Sequence, residues 1–537
     1  MAHLRPRPIH FLALLLALQA LFLAFFVTPL GDIPDESGHY AYVIDMTKGR
    51  PLPVLGKPEH GKGEIPADLW KDYEGLVERH RVNYIVQHPP LYYAVAAIPY
   101  ALTKSVTQDK ATLARSARVV SALSLGLLIL VVFKTLLALR IEERLALAMA
   151  SWFAFIPMVS HLSSGISNDI FLTLTCALGT LYLARFVTGQ RITDAYLCAL
   201  WLTLAGATKM TSWLLIAGFL GILLYEMRQP LWRWIVHAAG LSVLAFAAPV
   251  WWMRRNIYHF NDPLFVYGSH LTPKAPDYSL FEYFTQQPFF DWLFTHFYAL
   301  VGFSGYCLSA PSLDVINRFC KGAQLTTVEG PSMRVFTAVS VVCMALLAWA
   351  LVKALNHKTN EVNNPFAASA SIQSALSSWL ERPYVRRLLG WSIPLVGMVL
   401  FALSIAYSQK LSWYASGLRQ TAEFGMLFCT VVGLGVVLLN RSASDRMLAY
   451  GCVLLTLFTI MVFLKGHEAF QLTGHPNGIQ GRYLYPFVPL ALGSLAIALS
   501  RLRHGLTLAL AITVALCWAH LNAYLGTILP FYEWVAL

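Results

Sequence analysis

The sequence predicts an all-α polytopic membrane protein, with about thirteen transmembrane helices and further helices lying outside the membrane between them. Three observations lead there. Of 537 residues, 57% are hydrophobic and only 13% are charged, about half the charge of an ordinary soluble protein. Uncharged runs close to the roughly 18–20 residues that cross a bilayer recur along the whole length. Arginine pairs, finally, punctuate alternate connections between those runs, as cytoplasmic loops do. A disordered chain, a secreted disulfide scaffold and a soluble enzyme are thereby excluded.

The first apolar run, 9–29, follows Arg5 and Arg7. It is too long for the core of a cleavable signal, and no small-residue cleavage site follows it, so it is expected to stay as a helix. Further spans are expected at 118–139, 145–163, 170–187, 194–209, 211–227, 234–252, 335–353, 389–408, 420–440, 447–464, 485–500 and 505–528. The stretch 89–102 is apolar but short and contains Pro99, so it reads as an outer-surface helix that does not cross. With 89–102 left outside, each short inside connection carries at least two arginines. Inside segments then hold 17 Lys/Arg against 7 Asp/Glu, and outside segments 22 against 21. Most of the net charge of +12 is therefore a topology signal, and no nucleic-acid partner is implied.

Two outside regions result, 30–117 and 253–334, within a first module of residues 1–334; a second module, 335–537, begins with a span and a polar cytoplasmic linker at 354–388. Residues 64–80 place Ile65, Leu69, Tyr73, Leu76 and Val77 on one helical face opposite a charged one, the pattern of an interfacial helix. Cys176, Cys198, Cys343, Cys429, Cys452 and Cys517 lie in apolar runs and read as packing residues. Cys307 and Cys320 share one outside loop and are expected to form a disulfide.

Candidate chemistry lies at the outer ends of the spans. After the first comes Asp32-Ile33-Pro34-Asp35-Glu36-Ser37-Gly38-His39, where a proline stiffens the chain ahead of adjacent carboxylates that suit a general base. His39 follows Asp35 by one helical turn, a spacing that permits a hydrogen bond or a shared metal. NYIVQHPPLYY places His88 before Pro89 and Pro90, a rigid entry to the surface helix. SSGISNDIF sets Asn168 and Asp169 on the same side; Asp169 is either a first-turn acid of its helix or the second acid of a shared site. Arg118, Lys209, Arg254, Arg255 and Arg482 are cations on the side where topology disfavours them, and each invites an anion; the arginine fork suits phosphate. No Walker loop, GxSxG elbow, HExxH or CxxC pattern occurs, which argues against an ATP-driven pump and a nucleotide-sugar transferase.

At PDESGHY, QHPPLYY, SARVVSAL, SNDIF, GATKM and QGRYLYPFVPL the chain resembles the GT-C-type integral-membrane glycosyltransferases, in pattern the protein O-mannosyltransferase and lipid A aminoarabinose transferase superfamily. The motifs cover the first 210 residues in order and one late stretch. The resemblance implies a polyprenyl-phosphate-linked sugar donor and a glycan, lipid or protein acceptor on the non-cytoplasmic face of a bacterial inner membrane. It makes Asp35 the base that deprotonates the acceptor hydroxyl, with inversion at the anomeric carbon. Glu36 and Asp169 would position the acceptor or a divalent cation, Arg118 matches an arginine near the donor phosphate, and Arg482 is a second phosphate candidate. It assigns His39 no role. Two other readings compete: a glycan polymerase or ligase fed by a lipid pyrophosphate, and a lipid or solute transporter, for which acids near mid-span would be expected instead.

Overall fold

The computed structural model of the protein describes residues 8–49, 52–55, 83–266, 273–302 (without 288 and 299), 325–327, 331–356, 417–438, 442–474 and 479–532. Wherever they are described, the apolar runs are helical. α1 (Pro8–Phe22) runs on into a π-helical turn, Leu23–Val27. Outside it come α2 (Glu36–Met46) and α3 (Leu91–Lys104). Then follow α4 (Lys110–Ala138), the bent pair α5 (Glu143–Ala150) and α6 (Pro157–Ser163), α7 (Asn168–Gly189), α8 (Ile192–Gly206), α9 (Trp213–Glu226) and α10 (Leu231–Phe260). Two outer helices, α11 (Leu280–Gln286) and α12 (Phe289–Tyr298), precede α13 (Pro331–Asn356), α14 (Gly417–Leu438), α15 (Ala443–Thr473), α16 (Val488–Ser500) and α17 (Gly505–Ala523).

Eight of these segments are long and apolar enough to cross a membrane, nine if the pair bent by 72° around Ile156 is one span. Among the described residues the expected count of thirteen spans is therefore not confirmed. α8, with 15 residues, rises only about 22 Å at 1.5 Å per residue, short of a hydrocarbon layer of about 30 Å. Met210–Glu226 and Phe428–Leu438 are similarly short apolar helices. The span at 389–408, the helix at 64–80, most of the 354–388 linker, and Cys307 and Cys320 lie outside the described residues. One departure from all-α structure is a small antiparallel ribbon, Leu300–Gly302 with Leu325–Thr327, too short to leave an alternating pattern in the sequence.

α4 packs between α1 and α7, and α7 against α8, within one continuous apolar core that draws on helices from both ends of the chain, Ile9 to Ile528. α3 lies along α2 and α4 and its first N–H bonds Ala207 O at 3.0 Å. Ile98 and Leu102 on its far side are 58% and 67% exposed. A second, aromatic core beneath these outer helices gathers Tyr40, Tyr42, Tyr92, Tyr93 and Tyr100.

The opposite ends of the helices carry their own charge cluster. Arg446, at the start of α15, bonds Glu226 at the end of α9 through two 2.6 Å contacts, and Tyr450 donates to the same carboxylate at 2.6 Å. Arg501, after α16, bonds Asp445 at 2.5 Å and Ala350 O at 3.3 Å. Breaking one side of a buried pair leaves an uncompensated charge, at a cost of about 3–5 kcal/mol. Arg446→Met should therefore lower the melting temperature of the detergent-solubilised protein markedly, and adding Glu226→Gln should restore most of the loss. Equal melting of wild type and the single variant would show that the pair does not hold these helices together.

Candidate active site

The site begins with an unpaired carbonyl. In the π turn, Thr28 N–H bonds Leu23 O at 2.8 Å in place of Ala24 O, and Pro29 has no N–H to offer. Ala24 O, Thr28 O and Pro29 O therefore end the helix without main-chain partners. The Arg118 guanidinium takes all three, at 2.8, 2.8 and 2.7 Å. Its other two N–H groups grip Glu36, Nε to Oε1 and Nη2 to Oε2, each at 2.7 Å. Ile166 N–H and Gly31 N–H complete the carboxylate at 2.9 and 2.8 Å. Arg118 is wholly buried and all five of its donors are engaged, so none is open to a donor phosphate in this arrangement. Arg118 and Glu36 thus hold each other and the end of α1.

Asp35, one residue earlier, faces the other way. It adopts a left-handed conformation, φ +64°, which aspartate tolerates better than most residues. That turn swings its side chain away from the α2 axis. Tyr84 donates to Oδ1, and Arg482 Nη2 reaches Oδ2 at 3.1 Å. The Asp35 side chain is 19% exposed, against 3% for Glu36 and 4% for Asp169. Of the three singled-out acids, Asp35 is the accessible one.

Asp169 sits in the first turn of α7, but the helix is capped by Ser167. Asp169 Oδ1 instead accepts from Lys209 Nζ at 2.6 Å, and its Oδ2 lies 3.5 Å from Arg482 Nε. Arg482 thus bridges Asp35 and Asp169, and the two acids from separate loops do meet. Arg482 is seated by its neighbour: a Cβ on Gly481 would fall 2.2 Å from Leu293 O and 2.3 Å from Phe297 N. Only glycine lets the 3-10 turn Gly481–Phe487 lie against α12, where Tyr485 donates to Phe297 O at 2.7 Å. Farther along that turn, Leu484 lines an apolar cavity of about 250 Å³ with Phe153, Ile156, Phe297, Met344 and Val488.

A neutral group borders the charged one. Tyr93 OH is held by His39 Nδ1 at 2.9 Å and Asn168 Nδ2 at 3.1 Å, and its ring stacks on Tyr42 at 4.0 Å. Burial, then Lys209, hold His39 down to about 3, so the imidazole is uncharged. The His39 imidazole therefore bonds Tyr93 and not the Asp35 carboxylate, while its main-chain N–H donates to Asp35 O at 3.0 Å. Burial lowers His88 in the same direction, with Lys209 and His39 adding to it. Among the described residues no three His, Cys, Asp or Glu side chains gather as metal ligands. Arg255 is drawn elsewhere: it bonds Pro53 O at 2.7 Å and lies 4.2 Å over the Trp252 ring. Arg254 is exposed on α10.

Three tyrosines escaped the sequence reading. Tyr84 and Tyr93 lie within NYIVQHPPLYY, whose density of hydroxyl-bearing rings was a signal; Tyr532 carried none. Tyr532 donates to Asp32, 500 residues away. Burial pushes Asp32 up from 3.8 to about 6, opposed by the Tyr532 bond, with Glu36 adding to the rise and Arg118 opposing it. A carboxyl raised in the folded state binds its proton more tightly there than in the unfolded chain. Stability is then lost as pH rises from about 4 to about 6 and levels off above. Asp32→Asn should flatten that part of the melting-temperature profile; an unchanged slope would remove Asp32 as its source.

Residues 87–253 match the family model described as dolichyl-phosphate-mannose-protein mannosyltransferase. Among solved structures, the Saccharomyces cerevisiae protein O-mannosyltransferase Pmt1–Pmt2 complex bound to the sugar donor is similar at 14% identity and TM-score 0.33, over 50% of this chain and 36% of that one. The chain thus spans about a third of the yeast chain's length. ArnT from Cupriavidus metallidurans bound to undecaprenyl phosphate is similar at 14% identity and TM-score 0.33, over 93% of this chain and 77% of that one. The same enzyme in the apo state gives 13% identity and TM-score 0.31, over 91% and 77%. No curated protein sequence matches the chain. The family match falls across QHPPLYY, SARVVSAL, SNDIF and GATKM, four of the motifs that carry the resemblance to GT-C-type glycosyltransferases, and covers just under a third of the chain.

Proposed function

We propose that this protein transfers a sugar from a polyprenyl-phosphate donor to an acceptor hydroxyl on the non-cytoplasmic face of a bacterial inner membrane, with inversion and with Asp35 as general base. One observation carries the reading. An accessible carboxylate shares Arg482 with the Lys209–Asp169 pair, and the same turn that presents Arg482 borders an apolar cavity. A reaction that releases a lipid phosphate at a membrane surface needs these parts: a base, fixed cations and a place for a hydrocarbon tail. The arginine bias of the opposite connections supports the outward orientation, and the family description supports a lipid-phosphate sugar.

Asp35 and Asp169 together balance Arg482 and Lys209, so a donor phosphate reaches Arg482 in competition with the Asp35 carboxylate. Once the guanidinium turns to the phosphate through its planar fork, Asp35 is free to accept the acceptor's hydroxyl proton. The acceptor oxygen then forms its bond to the anomeric carbon as the carbon–phosphate oxygen bond breaks, and the electron pair leaves with the phosphate. Lys209 and Arg482 face the charge that develops there. Asp169 keeps both cations in place; with Lys209 at 2.6 Å it is already neutralised, which disfavours it as a ligand for a divalent cation.

The test separates the two roles of Asp35. Asp35→Asn should lower turnover of polyprenyl-phosphate sugar by about 10²- to 10⁴-fold, yet bind polyprenyl phosphate severalfold more tightly, because a competing carboxylate is gone. Undiminished turnover would remove Asp35 as the base. Weaker phosphate binding would remove the competition for Arg482.

A further inference from the structure

Beside the charged cluster, two buried polar atoms have no hydrogen-bond partner: Asn168 Oδ1 and His88 Nδ1. A buried acceptor or donor left unmatched costs about 1–3 kcal/mol, and both belong to a rigid frame that could have paired them. Asn168 is wholly buried, and one of its two amide N–H groups donates to Tyr93 OH. Tyr93 is fixed from its other side by His39 and stacked on Tyr42. Tyr42 OH in turn donates to the His88 main-chain carbonyl at 3.4 Å. His88 lies within the electrostatic reach of Lys209, His39, Asp169 and Asp35. The two unmatched atoms are therefore held at the same cluster by one connected set of side chains.

We propose that Asn168 and His88 form a neutral subsite that hydrogen-bonds hydroxyl groups of the sugar being transferred, distinct from the Lys209–Arg482 phosphate site. The inference rests on the glycosyltransferase reading and deepens it. Chemistry chooses the ligand. Asn168 Oδ1 can only accept, so its partner must donate, and an ionised phosphodiester has no proton to give. A sugar hydroxyl donates to Asn168 and can donate to or accept from an uncharged imidazole. At His88 the Lys209 ammonium outweighs the Asp169 carboxylate, which disfavours a cationic amino sugar in this position. The subsite therefore fits a neutral sugar, and loss of a matched hydroxyl there leaves buried polar groups unpaired, the strongest form of small-molecule discrimination.

The experiment measures binding of two probes to the full-length protein in detergent: polyprenyl phosphate, and polyprenyl phosphate carrying mannose, glucose or galactose, with a 4-amino pentose as the charged comparison. The wild type should bind at least one neutral-sugar probe more tightly than polyprenyl phosphate itself. Asn168→Ala should weaken that sugar-bearing probe by about tenfold while changing polyprenyl phosphate by less than twofold; His88→Ala should do the same, and gives an independent measurement if the first variant melts. Equal weakening of both probes, no weakening of either, or a wild-type preference for the amino sugar would overturn the subsite. Wild-type binding of polyprenyl phosphate no tighter than of uncharged polyprenol would instead defeat the glycosyltransferase reading on which it rests.

Discussion

The buried pair between Arg118 and Glu36 sets the position of everything else at the outer end of this protein. Removing a guanidinium and a carboxylate from water is costly unless every donor and lone pair finds a partner. Here all five guanidinium donors and both carboxylate oxygens do. The partners come from the end of α1, the turn at 29–31, the start of α2, the loop before α7 and the body of α4. None of these five segments can shift without exposing a buried charge to an unmatched neighbour. Because Glu36 is locked, the adjacent Asp35 is placed as well, and the left-handed turn at Asp35 sends the two neighbouring carboxylates in opposite directions. One acid holds the frame and the other faces the opening. A helix that ended with ordinary α-type bonds would have offered Arg118 fewer carbonyls, so the π turn and the proline behind it belong to the same construction.

The helices were legible because hydropathy is a property of whole segments, which survives ignorance of any contact. The convergence of Asp35, Asp169, Lys209 and Arg482 was legible for a related reason. A map that places the ends of alternate spans on one side brings those residues to the same surface before any packing is known. What could not be read was which partner each charge takes. Arg118 was read as a phosphate ligand because an arginine at the mouth of a span looks available; the carbonyls that occupy it are freed only by a local departure from α-helical bonding. The spacing of Asp35 and His39 suggested contact along a helix face, but Asp35 precedes the first turn in a left-handed conformation, so the spacing rule does not reach it. Tyr532 meets Asp32 across 500 residues, and no local pattern announces such a contact. The number of full spans is a different matter: apolar composition fixes where a segment is buried, and says less about whether it is long enough to cross.

Charge also divides the site into two territories. Four ionised side chains cancel one another around Arg482, while His39, Tyr93, Asn168 and His88 form an uncharged border. This division follows from the aromatic packing: Tyr42 and Tyr93 desolvate the histidines, and an imidazole stripped of water next to an ammonium has every reason to stay neutral. A donor molecule has the same two-part character, an anionic link and a neutral sugar, so the polarity of the pocket is complementary to the polarity of the substrate class proposed for it.

The charged territory is arranged so that the proposed reaction moves charge without creating it. Asp35, Asp169, Lys209 and Arg482 sum to zero, and a phosphodiester adds one negative charge. As the acceptor proton passes to Asp35 that carboxylate becomes neutral, while the departing phosphate gains the charge that Asp35 gave up. The total is the same before and after, and the charge travels between two groups that compete for a single guanidinium. Arg482 therefore faces a negative partner at every stage, which keeps reorganisation of the surrounding dipoles small, the condition under which fixed cations lower a barrier most effectively. Asp169 and Lys209 contribute by staying paired throughout: with Lys209 anchored, Arg482 is the member of the cluster left to shift its contact from carboxylate to phosphate. A lysine at position 482 would keep the charge but lose the planar fork that can meet both partners, so the geometry of the exchange, and not the positive charge alone, calls for arginine there.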